Sequence, residues 1–173
     1  RLDQDTSGVM VAAKSQRAMD ALTRAFSRHD GVAKTYLAIA HGSPVPAEGR
    51  VETLIGRSPR DRKKMAVVDK NGKNAITLYR VAATDPGKGL SLVECRILTG
   101  RTHQIRVHLS SVLGCPIAGD ATYGRAWMDK RLEPRPARQL LHAWKLSLRH
   151  PVTGKTMEFE APPPPDFREC GII

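Results

Sequence analysis

Two rhythms of apolar and polar positions run along this chain. The first is the strand rhythm, short apolar or alternating runs bounded by turn residues. It appears at 9–13, 34–41, 75–83, 90–97, 140–149 and 155–160. Residues 9–13 are apolar throughout and predict a buried strand. In 34–41, Tyr36, Ala38 and Ala40 fall on one side and Leu37 and Ile39 on the other, as a pleated strand requires. The second rhythm is helical and occurs twice. Ala18, Leu22 and Phe26 make one stripe within 16–28, with Arg17, Arg24 and Arg28 off it. Ser15 is placed to cap that helix and Gly31 to end it. Further on, Thr102 is placed to cap a helix over 103–113 with Ile105, Leu109 and Val112 as its buried stripe, stopped by Gly114 and Pro116.

Turn chemistry separates these segments. Gly42, Pro44, Pro46 and Gly49 predict a loop over 42–50. The stretch 56–74 carries Arg57, Arg60, Arg62, Lys63, Lys64, Lys70 and Lys73 and predicts a basic ribbon turning at Asn71-Gly72. Asp85-Pro86-Gly87 separates two strands. Residues 125–138, with Pro134 and Pro136, predict a charged loop, and residues 151–154 join the last two strands. Pro162–Pro165 end further pairing. Many strands with two clear helices predict an α+β fold, a mostly antiparallel mixed sheet with few flanking helices, without internal repeats. A chain of 173 residues fits a single domain spanning 1–173.

Charge changes this picture most. Lysine and arginine outnumber the acids enough for a formal net charge of +11. Such an excess favours a polyanionic partner: RNA, DNA or an acidic membrane surface. The apolar share of 40% speaks against disorder. No apolar run approaches the ~20 residues of a membrane span. Cys95, Cys115 and Cys170 are odd in number and form no CxxC or Cys/His cluster, which fits reduced thiols and a cytoplasmic protein.

Two polar segments carry the candidate chemistry. Residues 1–8 read Arg-Leu-Asp-Gln-Asp-Thr-Ser-Gly, and residues 99–108 read Thr-Gly-Arg-Thr-His-Gln-Ile-Arg-Val-His. Asp3 stands next but one to Arg1, which would hold it ionised. Asp5, before Thr-Ser-Gly, suits a turn through its side-chain oxygen. Arg101 and Arg106 sit at a helix start, where anions are favoured, and Arg106 lies off the buried stripe, free to face a neighbour. His103 and His108 are spaced by five and lack a third ligand, so a metal centre is not expected.

The segment Arg1-Leu2-Asp3-Gln4-Asp5-Thr6-Ser7-Gly8 resembles the active-site motif of the RluA-type pseudouridine synthases. Lys34-Thr35-Tyr36-Leu37-Ala38 is similar to that family's second motif and 99–108 to its third. Gly119-Asp120-Ala121-Thr122-Tyr123-Gly124 and Leu140-Leu141-His142-Ala143 also fit in order and spacing. The similarity spans essentially the whole chain. It implies the pseudouridine synthase catalytic fold and isomerisation of uridine in structured RNA, with neither metal nor cofactor. By the resemblance Asp3 is the catalytic aspartate, Tyr36 stacks on the target base and Arg106 partners the Asp3 carboxylate. Arg1 enters the RNA where the base is flipped out, Leu141 lines the pocket, and Arg101 counts among the RNA-binding residues. The ribbon, through Arg60, Arg62, Lys63 and Lys64, would track phosphates. Residues 57–67 resemble most the RluD-like synthases of large-subunit ribosomal RNA, with transfer RNA as the alternative substrate. The family's histidine before Arg1, its upstream strands and often a small RNA-binding domain do not appear here, so the chain is expected to be the catalytic part of a longer protein. A monomer is expected. Two other readings stay open: a non-catalytic RNA-binding module or inactive fragment of such an enzyme, and a metal-dependent nuclease using Asp3 and Asp5. The latter is the weaker, because a two-metal site needs more carboxylates.

Overall fold

The structure, a computed structural model, describes residues 1–28 and 30–173. Its strands are β1 (Ser7–Gly8), β2 (Ala33–His41), β3 (Glu48–Arg57), β4 (Met65–Val67), β5 (Lys73–Asp85), β6 (Leu90–Ile97), β7 (Leu141–Arg149) and β8 (Thr156–Glu160). They form one mixed sheet in the order β1-β7-β2-β6-β5-β3-β4, with β8 also on β7. Among these, β1–β7 is parallel and the others are antiparallel. The helices are α1 (Gln16–Arg28), α2 (Gln104–Val107), α3 (Ala126–Asp129) and α4 (Pro165–Glu169). The α+β fold with a mostly antiparallel sheet is thus present. None of the helices among the described residues is long and apolar enough to cross a membrane.

The alternation in β2 reads correctly, but Leu37 to His41 are buried on both faces because β2 lies at the centre of the sheet. Ile39 and Val93 are fully buried there, with Ile105 and Leu109 in the same core. A second, smaller cluster seats α1 through Leu22 on Leu146 and Leu148 of β7. Ser15 caps α1, its Oγ accepting from Ala18 N at 3.3 Å.

Each remaining departure has a physical cause in the packed chain. The apolar run 9–13 is not a buried strand; β1 comes just before it, and Met10 is 67% exposed. β1 runs parallel to β7 from His142 to Ala143, and the same edge is taken from Lys145 onward by β8, so β1 has nowhere to continue. Gly49 belongs to β3 rather than to a loop; its bare Cα admits the Tyr79 hydroxyl, which a Cβ would meet at 2.9 Å. Asn71-Gly72 is not a hairpin turn. β4 and β5 pair with opposite sides of β3, so 68–72 crosses over it, and a Cβ on Gly72 would strike Leu54 Cβ at 2.8 Å. The hairpin is β3–β4, closed by Ser58 N donating to the Lys64 carbonyl.

The predicted helix 103–113 starts without a Thr102 cap. His103 takes the cap position with a left-handed backbone, φ 57°. After Val107 the helix widens into a π turn over His108–Val112, in which Leu113 N donates to the His108 carbonyl. An extra residue in a turn rotates the succeeding residues by about 100°. Val112 therefore leaves the predicted stripe and is exposed, while Leu109 stays buried. The charged loop 125–138 contains the short α3, and the tail beyond Pro164 contains α4, whose Phe167 is fully buried. Both are too short for the helical period to register. Cys95, Cys115 and Cys170 are buried free thiols.

Candidate active site

Sheet register brings the first motif to the second. Gly8 of β1 stands opposite Ala143 of β7, Ala143 opposite Tyr36 of β2, and Tyr36 opposite Cys95 of β6. Gly8 is required there: its φ is +119°, and a Cβ would lie 2.2 Å from the Ala143 carbonyl. This close pairing carries residues 3–6 onto the end of α2. Asp5, with φ 64°, makes the turn through its backbone, closed by Thr6 N donating to the Asp3 carbonyl at 3.1 Å. The turn does not need the Asp5 side-chain oxygen that the sequence pattern favours.

Arg106, the third residue of α2, is buried beneath Asp3. Its Nη1 stands 3.5 Å from Asp3 Oδ2; the guanidinium side chain is 6% exposed and the aspartate 23%. The stronger hold on Arg106 comes from Asp120, which is fully buried. Arg106 Nε donates to Asp120 Oδ2 at 2.8 Å and Nη2 to Oδ1 at 2.9 Å. Asp120 Oδ1 also accepts from Thr122 N and Tyr123 N. Such a two-pronged pair fixes the guanidinium plane. What remains is Nη1, aimed at Asp3. Burial opposes the charge on both partners; on Asp120 the Arg106 hydrogen bonds and the two amides prevail and hold its carboxyl below the usual range. On Arg106 the Asp120 bonds and the Asp3 carboxylate likewise outweigh burial and raise its pKa. Among the described ion pairs, the partner of Asp3 is Arg106, not Arg1.

Aromatic groups complete the wall. The Tyr123 ring lies 5.0 Å from the Arg106 guanidinium carbon, a cation–π distance. Its hydroxyl accepts from Met65 N at 2.8 Å and meets His103 Nδ1 at 2.7 Å. Burial lowers the His103 pKa, with Asp3 opposing. On a neutral His103, Nδ1 accepts the hydrogen bond that the Tyr123 hydroxyl donates. Tyr36 is half-buried, and burial together with the nearby Asp3 carboxylate pushes its hydroxyl up to about 12. At neutral pH it is a phenol.

The structure brings Asp3, Tyr36 and Arg106 together and puts Leu141, buried, opposite Ala38 on the Tyr36 side of the sheet. Arg101 turns away: its Nε donates to the Asn74 carbonyl at 2.8 Å, near Lys34, whose pKa burial and Arg101 lower. Arg1 is exposed. Arg60, Arg62 and Lys63 stand exposed on the β3–β4 turn with Lys64 at its base, and Met65 ties that hairpin to Tyr123. Asp120, Tyr123 and His103 are site residues to which the sequence pattern assigns no role. The signal for Asp120 is indirect: an arginine inside an apolar helix stretch needs a carboxylate, and Asp120 stands in the Gly-Asp motif at 119–124.

The sequence profile of the family described as RNA pseudouridylate synthase matches residues 1–111. The chain belongs to that family. It is 43% identical over 173 residues to the ribosomal large subunit pseudouridine synthase D of Neisseria meningitidis, an alignment covering 96% of this chain and 45% of that one. It is 37% identical to the chloroplastic RNA pseudouridine synthase 2 of Oryza sativa, covering 98% and 42%. The chain thus spans about half the length of the curated relatives it matches. Among solved structures, the human RNA pseudouridylate synthase domain containing 1 superposes with a TM-score of 0.81 at 33% identity, covering 98% of this chain and 71% of that one.

Proposed function

We propose that this chain is the catalytic unit of an enzyme that isomerises uridine to pseudouridine in structured RNA, with large-subunit ribosomal RNA as the substrate. The observation that carries this is the Asp3 carboxylate at the surface, 3.5 Å above a guanidinium that Asp120 locks in place. The likeness of about 43% to synthases named for the large ribosomal subunit supports the choice of RNA.

Chemistry on a base inside folded RNA requires flipping it out, at a cost of a few kcal/mol. Stacking on Tyr36 and insertion of Arg1 into the vacated stack offset that cost. Asp3 then acts on the ribose: attack on C1′ breaks the C1′–N1 bond, or removal of the C2′ proton lets that bond break. The freed uracil turns and joins C1′ through C5, releasing Asp3 or regaining the C2′ proton, and the C5 hydrogen leaves as a proton. Both roles need a carboxylate, and the Arg106 Nη1, 3.5 Å from Oδ2, aims it. Tyr36, a phenol at neutral pH, presents a flat ring with a donor hydroxyl. Leu141 lines the apolar side, while Arg60, Arg62, Lys63 and Lys64 follow the phosphates.

The test is tritium release from large-subunit ribosomal RNA transcribed with 5-tritiated uridine. Wild-type chain should release tritium, and Asp3→Asn should bind the RNA without releasing any. Release by Asp3→Asn at the wild-type rate would remove Asp3 from the reaction. Binding by both proteins without release would favour a non-catalytic RNA-binding module.

A further inference from the structure

Residues 3–6 lie outside regular secondary structure, yet their carboxylate must stand still beside Arg106. Their own turn contributes one backbone hydrogen bond, Thr6 N to the Asp3 carbonyl. Further support comes from Arg138 and Gln139, just before β7. Its Nη1 donates to the Asp5 carbonyl at 2.9 Å and its Nη2 to Ser7 Oγ at 3.1 Å. The same Nη1 also reaches the Gln139 carbonyl at 3.1 Å. Next to it, Gln139 Nε2 donates to the Gln4 carbonyl.

Arg138 is itself oriented from the far end of the chain. Asp166 of α4 takes its Nε on Oδ2 at 2.8 Å and its Nη2 on Oδ1 at 3.0 Å, a two-pronged pair that sets the plane of the fork. Helix α4 is seated by Phe167, fully buried with its ring 5.9 Å from that of His142. His142 Nε2 donates to the Ala161 carbonyl, so its Nδ1 accepts from Ser7 Oγ. Ser7 can then receive the Arg138 hydrogen without conflict. Every bond in this chain of groups has a consistent donor and acceptor.

We propose that Arg138, oriented by Asp166 of α4, is the positioning residue of the Asp3 loop, so that the C-terminal helix governs the reaction rate without touching RNA. The proposal rests on the pseudouridine-forming role of Asp3. Arg138 is distinct from Arg106: it touches the backbone and Ser7 of the loop, not the Asp3 carboxylate.

The experiment compares the full chain with Arg138→Met, Asp166→Asn and the double variant. Single-turnover tritium release, RNA affinity and hydrogen exchange over 3–8 are measured for each. Because misplacement by ~1 Å can cost about 100-fold, Arg138→Met should slow release by about that factor. Its RNA affinity should stay within about threefold, and protection over 3–8 should fall while β2 keeps its own. Asp166→Asn should lose less, and the double variant should be no slower than Arg138→Met, since Asp166 acts through Arg138. An unchanged rate, losses that multiply in the double variant, or a loss of affinity matching the loss of rate would each overturn the proposal. If Arg138→Met does not fold, Asp166→Asn carries the same comparison, a slower rate at kept affinity supporting the clamp and an unchanged rate overturning it. If wild type releases no tritium, the activity assignment fails separately, and protection over 3–8 decides the clamp: a drop in Arg138→Met supports it and no change overturns it.

Discussion

A guanidinium as buried as that of Arg106 needs an acceptor for each of its hydrogens, or it costs more than it contributes. Asp120 meets that need on two sides and leaves one nitrogen for Asp3. The two carboxylates therefore have different consequences. Asp120→Asn leaves Arg106 with half of its compensation, and urea unfolding should show a loss of about 3–5 kcal/mol; a change under about 1 kcal/mol would mean another group takes over the charge. Arg106→Met should slow single-turnover tritium release by about 100-fold with RNA affinity kept within about threefold. A loss confined to affinity would make Arg106 an RNA contact. At this scale the resemblance of short motifs pointed to a meeting of Asp3, Tyr36 and Arg106, and the structure has them side by side. Asp120 had no period or charge run linking it to Arg106, fourteen residues earlier.

The helical segment after Thr99 shows how an element is decided by its neighbours. Its start was legible from Ile105 and Leu109, but the π turn at His108 was not, since nothing in the spacing of apolar residues marks an inserted residue. The turn places His108, 1% exposed, between two strands. Its Nδ1 meets Thr77 Oγ1 of β5 at 2.8 Å and its Nε2 meets Thr53 Oγ1 of β3 at 3.0 Å. Burial pushes its pKa from 6.5 down to about 4. Between these values the unfolded chain carries the proton and the folded one does not, so stability is full above about 6.5 and falls as pH drops towards 4. The loss amounts to roughly 3 kcal/mol. His108→Gln, which does not titrate, should flatten that part of the curve of unfolding free energy against pH. The same slope in the variant would assign the acid sensitivity to other groups.

At the scale of the whole molecule, four basic residues, Arg60, Arg62, Lys63 and Lys64, gather on the β3–β4 hairpin. The net charge of +11 was visible at once, but where it acts depends on the hairpin. Tyr123 anchors that hairpin through Met65 N, so Arg60, Arg62 and Lys63 project from an element joined to the wall of the site. Neutralising a phosphate releases counterions, and on single strands each such neutralisation adds roughly 0.7 to the slope of log affinity against log salt. Replacing Arg60, Arg62, Lys63 and Lys64 by Gln should reduce the slope by up to about 3. An unaltered slope would put the RNA on another face.

Local pattern was enough for the strands at 34–41, 90–97 and 140–149, the helix capped by Ser15, and the two motifs that meet at Asp3. These depend on periodicity and on short contiguous segments, which the order of residues carries directly. The arrangement of β4 and β5 on opposite sides of β3, the early end of β1 where β8 takes the edge, and the Arg106–Asp120 pair depend on segments far apart in the chain. Competition for one sheet edge and the need of a buried charge for a counterion are resolved only when the chain is packed, because neither leaves a local trace.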